Sequence, residues 1–206
     1  MSKIRFTKGE LKRQRDSLKQ FEHYLPFLQL KKQQLQLEMQ RIYNQASLKL
    51  QQIDNLKHEI NKWAGLLNED EGTKEVAKWV RKGKVARTSI NIAGVDLPVF
   101  ERVDFEDSEY DLFSMPLWID LAITKIQDLV IFLEEDKIMK EQIRILGHEL
   151  RITTQRINLF EKIKIPESKE NVRLIRIYLG DQQTNAVGRS KMAKSKIEAM
   201  VLEGVA

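Results

Sequence analysis

Hydrophobic positions along the first third of the chain recur on a seven-residue frame. With position a at Leu11, Leu18, Leu25, Lys32, Met39, Ala46, Ile53 and Ile60, position d falls on Gln14, Phe21, Leu28, Leu35, Ile42, Lys49, Leu56 and Trp63. Polar residues break the frame only at Gln14, Lys32 and Lys49. So narrow a stripe predicts one long helix, about 80 Å at 1.5 Å per residue, whose apolar seam needs a partner helix and not a broad core.

The pattern changes in the middle. Gly65, Gly72 and Gly83 interrupt the helical period, with room for a short helix around Val76, Ala77, Trp79 and Val80. From Val85 the period is two: Ile90 and Ile92 alternate with Ser89 and Asn91, and Val95, Leu97 and Val99 alternate with Asp96 and Pro98. Gly94 between the runs suits a tight turn, so Val85 to Val103 is expected to be a small β-hairpin. Pro98 cannot donate to a ladder and marks an edge strand. A lone hairpin is marginal in water and must lean on helices or on a partner protein; it is expected to form a contact surface outside the rods. Asp104 to Glu109 follows as an acidic loop.

A second helical pattern opens near Pro116, a residue suited to a first turn. Ile119, Ala122, Ile126, Leu129 and Leu133 form its first stripe, and Met139, Ile143, Leu146, Leu150, Thr153, Ile157 and Phe160 form a second in shifted phase. Asp136 and Lys140 sit at the shift, the trace of a stutter. Pro166 predicts a kink or short break near Ile165. Val172, Ile175 and Leu179 carry the stripe on towards a basic helix or frayed tail.

These elements imply a mainly α protein, a long antiparallel two-stranded coiled-coil hairpin with a small β-hairpin inserted in the middle. The expected divisions are residues 1–70 for the first helix, 71–115 for the middle region, and 116–206 for the second helix with its basic tail. A parallel homodimer and a helical bundle are the architectural alternatives. If the helices pair within one chain, partner residue numbers add to about 182, given equal rise in both. That register places Leu25 beside Ile157 and Ile53 beside Leu129. It also sets Met1 level with Asp181, leaving the residues beyond as a single helix.

Composition and charge narrow the function. The chain has 206 residues, nine Gly, four Pro, no Cys and a net charge of +5. Absence of Cys excludes disulfides, thiolate metal sites and cysteine nucleophiles. The start lacks an apolar signal core, and the longest aliphatic and aromatic run, Leu129 to Leu133, is too short to span a bilayer. A cytoplasmic protein that reaches membranes through partners is expected. Basic residues gather at Lys8, Lys12, Arg13, Arg15 and Lys19 and at Arg189, Lys191, Lys194 and Lys196, without the stacking aromatics of a nucleic-acid surface. His23, His58 and His148 stand singly, which disfavours a metal site. Gly180 and Gly188 are eight apart with no Gly-Lys-Ser or Gly-Lys-Thr after them, so no phosphate loop is present. Catalytic residues, metal ligands and cofactors are not expected. A coiled-coil scaffold or tether is what the heptads alone favour.

Thr7 to Leu11, the run Phe27 to Leu35, the segment holding Pro116, Trp118, Asp120 and Ala122, and above all the stretch Arg156 to Pro166 with Asn158 and Glu161 resemble the D subunit of the V-type ATPase/ATP synthase. The resemblance spans roughly Thr7 to Leu179; Gln155 and Phe160 depart from a basic residue and a Leu usual there. It implies a non-catalytic central-stalk shaft, peripheral to the membrane, that turns inside a catalytic hexamer of A and B subunits. It also implies that the shaft carries the F subunit and docks on the subunit capping the membrane ring. Under it, Leu11, Leu18, Phe21, Leu25, Leu28, Leu35, Met39, Ile42, Ile53, Leu56, Ile60, Ile143, Leu146, Leu150, Ile157 and Phe160 are the shaft's seam. Arg156, Asn158, Glu161 and Pro166 are the family motif.

Overall fold

A computed structural model describes residues 4–63, 80–106 and 118–204. Helix α1 spans Lys8–Trp63, strands β1 and β2 span Lys82–Ile92 and Val95–Phe105, helix α2 spans Ile119–Leu159, a π-helical turn covers Phe160–Lys164, and helix α3 spans Ile165–Glu203. The short helix expected around Val76 to Trp79, and the helix start expected at Pro116, lie outside the described residues. The chain is mainly α, an antiparallel coiled-coil hairpin with an inserted β-hairpin.

Thr7 starts α1 as a cap: its hydroxyl accepts the Glu10 amide at 3.2 Å and its carbonyl accepts the Leu11 amide at 3.0 Å. The heptad frame then decides which face is covered. Every a and d position from Leu11 to Ile60 is buried or half-buried, Gln14, Lys32 and Lys49 included, whereas most intervening positions are exposed.

The contacts fall into two compact units. The first comprises residues 31–153. Here α1 and α2 run antiparallel, and the ion pairs Lys31–Glu149, Lys49–Glu135 and Glu59–Lys125 join residues whose numbers add to 180, 184 and 184. Leu35, Ile42 and Leu146 form the core with Val95 and Leu97, flanked by Met39, Ile92, Ala93, Met139, Ile143 and Leu150. The hairpin is therefore not only a contact surface. Leu97 is 1% exposed, and its strand closes the helical seam from the side.

The hairpin is longer than its alternating run, because Lys82 pairs with Phe105 across register shifts near Gly83 and Ala86. Asp104 thus lies in β2 and not in an acidic loop. A Cβ on Gly83 would stand 2.9 Å from the Asp104 carbonyl oxygen, which explains the glycine. Ala93 (φ 52°) and Gly94 (φ 75°) make a two-residue turn with both centres left-handed. The Asn91 side chain holds it, accepting the Gly94 amide at 3.1 Å and donating to Asp96 at 2.6 Å.

The second unit comprises residues 1–30 and 154–206. Phe21 packs on Phe160 in a tilted arrangement with centroids 5.2 Å apart, Asn171 donates to Gln14 at 3.4 Å, and Phe6 meets Tyr178 at 4.9 Å. These numbers add to 181, 185 and 184, again close to the expected register. From Gly180 to Val201 every described side chain is exposed.

Where a kink or short break is expected near Ile165, the helix carries a π-helical turn over Phe160–Lys164. The Ile165 amide instead reaches back five residues to the Phe160 carbonyl, and the helix continues. The wider π turn makes room before the proline ring, which would otherwise crowd the carbonyl four residues back.

Candidate functional site

The residues expected to form the seam are all buried or half-buried. In the first unit Leu35 and Leu146 are fully buried, and Ile42 and Ile53 nearly so; Leu56 and Ala46 are each 8% exposed. Met39, Ile60, Ile143 and Leu150 are half-buried. In the second unit Ile157 is 6% exposed, and Leu11, Leu18, Phe21, Leu25, Leu28 and Phe160 are half-buried. The quartet Arg156, Asn158, Glu161 and Pro166 is exposed and takes no part in the seam.

Several buried groups escaped the hydrophobic pattern. Glu134 and Asp136 are 4% and 5% exposed, at the very position where the stripe of α2 changes phase. Glu134 accepts from Lys137 at 2.6 Å and pairs with Lys82 of β1 at 2.7 Å. The Lys137 hydrogen bond first, and then that from Lys82, hold its carboxyl below the usual glutamate value, against the opposing pull of burial. Asp136 is answered by Lys140, although its Oδ1 is buried with no hydrogen-bond partner. The polar break is thus a buried charged layer linking α2 to the base of the hairpin. The change of phase was visible in the apolar runs and in Asp136 and Lys140 between them, but the burial of Glu134 and Asp136 was not.

Lys49, a polar residue in the seam frame, lies over the Phe132 ring at 4.2 Å and pairs with Glu135. Beside it a groove of about 450 Å³ is lined by Gln45, Gln52, Val99, Phe100 and Met139 among others. Its ionisable groups are a cation already matched to a carboxylate, an arrangement that positions chain segments and offers no free acid, base or nucleophile. Among the described residues no group of His, Asp and Glu has metal-binding geometry. No helix among them is long and apolar enough to cross a membrane.

In the second unit the seam turns polar. Gln14, Ser17, Ser168 and Asn171 surround a pocket of about 200 Å³ beside Phe21 and Lys164. Gln14 links both sides, donating to Glu10 at 2.9 Å and accepting from Asn171.

Residues 10–195 match the family model of the ATP synthase D subunit, a stretch that runs past the Leu179 limit of the resemblance seen in the sequence. The D subunit of the V-type ATP synthase of Borreliella burgdorferi is 46% identical over 197 residues, 96% of each chain. Its counterpart in Chlamydia caviae is 34% identical over 96% of this chain and 95% of its own, and that of Chlamydia pneumoniae 32% identical over 98% and 96%. A match this long takes in the seam, the inserted hairpin and the helix beyond Pro166 alike, and by it the chain belongs to the family of ATP synthase D subunits.

Proposed function

We propose that this chain is the non-catalytic central-stalk subunit of a V-type ATPase/ATP synthase, the shaft whose rotation couples nucleotide chemistry in a catalytic hexamer to ion transport. The observation that carries the reading is the near end-to-end match with the D subunits of V-type ATP synthases. The fold supports it physically. Torque transmission needs stiff elements with a fixed register, and a two-helix seam cross-tied by ion pairs supplies both. The A and B subunits of the hexamer, the F subunit and the subunit capping the membrane ring are the partners. The complex works on the cytoplasmic side, with this chain peripheral to the membrane. The seam residues hold the two helices together, while Arg156, Asn158 and Glu161 present polar shaft surface to the surrounding subunits.

A tagged chain expressed in its own cells tests this. It is expected to co-purify in stoichiometric amount with ATP-hydrolysing subunits. A label on a single introduced cysteine in the assembled complex is expected to rotate when ATP is added. Recovery without ATPase subunits, or a label that stays fixed while ATP is hydrolysed, refutes the shaft.

A further inference from the structure

The outer edge of β1 is unoccupied by any described part of the chain. Across the two-residue turn Ile92 and Val95 form a hydrogen-bonded pair, so pairing alternates from there. Ile90 with Leu97 and Thr88 with Val99 exchange ladder bonds; Asn91, Ser89 and Arg87, opposite Asp96, Pro98 and Phe100, do not. Pro98 fits this phase, because at a non-bonded position its missing amide costs the ladder nothing. The amides and carbonyls of Arg87, Ser89 and Asn91 consequently point away from β2.

The two edges are treated differently. On β2, Pro98 lacks a donor and its carbonyl accepts from Gln142 of α2 at 2.6 Å, so that edge is closed. On β1, residues 87–91 are all exposed and Ile90 keeps 49% of its surface. The irregular pairing lies nearer the base of the hairpin, which leaves the stretch from Arg87 to Ile92 regular. A regular, exposed edge with an apolar side chain at its centre is a template for strand addition.

Charge selects the occupant. Residues 81–92 hold Arg81, Lys82, Lys84 and Arg87 and no acid. Lys82 is matched to Glu134, and Arg87 reaches Glu141 at 3.4 Å. Arg81 and Lys84 are exposed and form no ion pair among the described residues. A second copy of this chain would set two such basic strands side by side, which repels. We propose that β1 accepts an extended acidic segment of a partner protein as a third strand. Its backbone bonds to Arg87, Ser89 and Asn91, an apolar side chain covers Ile90, and its carboxylates meet Lys84 and Arg81. The segment comes from another member of the assembly, a point that rests on the reading of the chain as one subunit of a complex.

Residue-resolved hydrogen exchange on the full chain tests the edge. Free in solution, the Ser89 and Asn91 amides are expected to exchange at least about tenfold faster than those of Thr88 and Ile90. A synthetic strand peptide alternating Glu with Val, added at millimolar concentration, is expected to slow Ser89 and Asn91 selectively; a peptide alternating Lys with Val is not. Ser89→Pro removes an outward amide while sparing the ladder, and is expected to abolish the effect. The paired change Arg81→Glu and Lys84→Glu, which leaves the backbone alone, is expected to weaken it and to favour the Lys peptide. In the purified assembly the same two amides are expected to be slow without any peptide. Slow exchange already in the free chain means that the chain's own segments or a second copy fill the edge, and overturns the proposal. Fast exchange both in the assembly and with the Glu peptide overturns it too. Failure of the chain to enter any assembly counts against the shaft and leaves the peptide result to decide the edge.

Discussion

Removing the Leu97 side chain measures how far the hairpin belongs to the helical core. Leu97 is 1% exposed and lies among Leu35, Ile42 and Leu146. Truncation to Ala deletes three carbons, about 2.4 kcal/mol at 0.8 per buried methylene, and the cavity left between strand and helices adds to that. A loss of about 2.5–4 kcal/mol is expected. Ile90→Ala is the matched control. It removes as many carbons from the same face of the same sheet, but the side chain is half exposed, so about 1 kcal/mol is expected. Urea unfolding followed by helical circular dichroism gives both values. Exchange of the Leu35 and Ile42 amides reports whether the helices loosen with the strand. Equal small losses for the two variants, with unchanged protection in α1, would show that the hairpin merely rests on the helices. The same reasoning predicts that replacing Ser89 to Val99 by a Gly-Ser linker lowers helical stability, since it strips Val95 and Leu97 from Leu35 and Leu146.

Three further outcomes follow from particular residues. Ala93 holds a left-handed backbone that Asn tolerates better, so Ala93→Asn is expected to raise stability to urea by roughly 0.5 kcal/mol and Gly94→Ala to lower it by about 1 kcal/mol. Glu134 has a depressed folded-state pKa; its contribution is present above the ordinary value near 4.5 and is lost as pH falls through the lower folded one. Acid titration of stability is therefore expected to be shallower in Glu134→Gln over that window, and an unchanged profile would remove Glu134 from the account. Leu25→Cys with Ile157→Cys, introduced into a chain without native cysteine, is expected to give an intrachain cross-link with a short bis-thiol reagent. Interchain products alone would contradict the antiparallel register.

The long helices were legible because a two-helix seam writes itself into every third and fourth residue. Leu35, Ile42 and Ile53 could be placed by counting alone. Counting fails where a helix meets more than one neighbour. Around Glu134 and Asp136 the second helix faces both α1 and the hairpin, so polar residues are buried that a single-stripe reading assigns to solvent. Leu97 was visible as a strand residue, but its partners across the sequence were not, because alternation marks a covered face without naming what covers it. The exposed motif around Arg156 was legible only through resemblance. Its side chains pack against nothing that a periodic argument could detect.

The π turn before Pro166 has a bearing on phase. Counting heptads onward from Ile157 puts seam positions at Phe160, Lys164 and then Glu167. Glu167 is in fact exposed, and Ser168 is the buried residue at that level. A wider turn consumes one extra residue per circuit, so the angular frame slips back by one position and every later seam residue is counted from the new origin. The slip leaves Glu167 on the exposed rim of the pocket and brings a small hydroxyl, Ser168, in beside Gln14 and Asn171. It also lets Val172 and Ile175 resume the apolar line, at 8% and 0% exposed. Without that one-residue slip, the helix beyond the proline would turn an acidic side chain towards its partner.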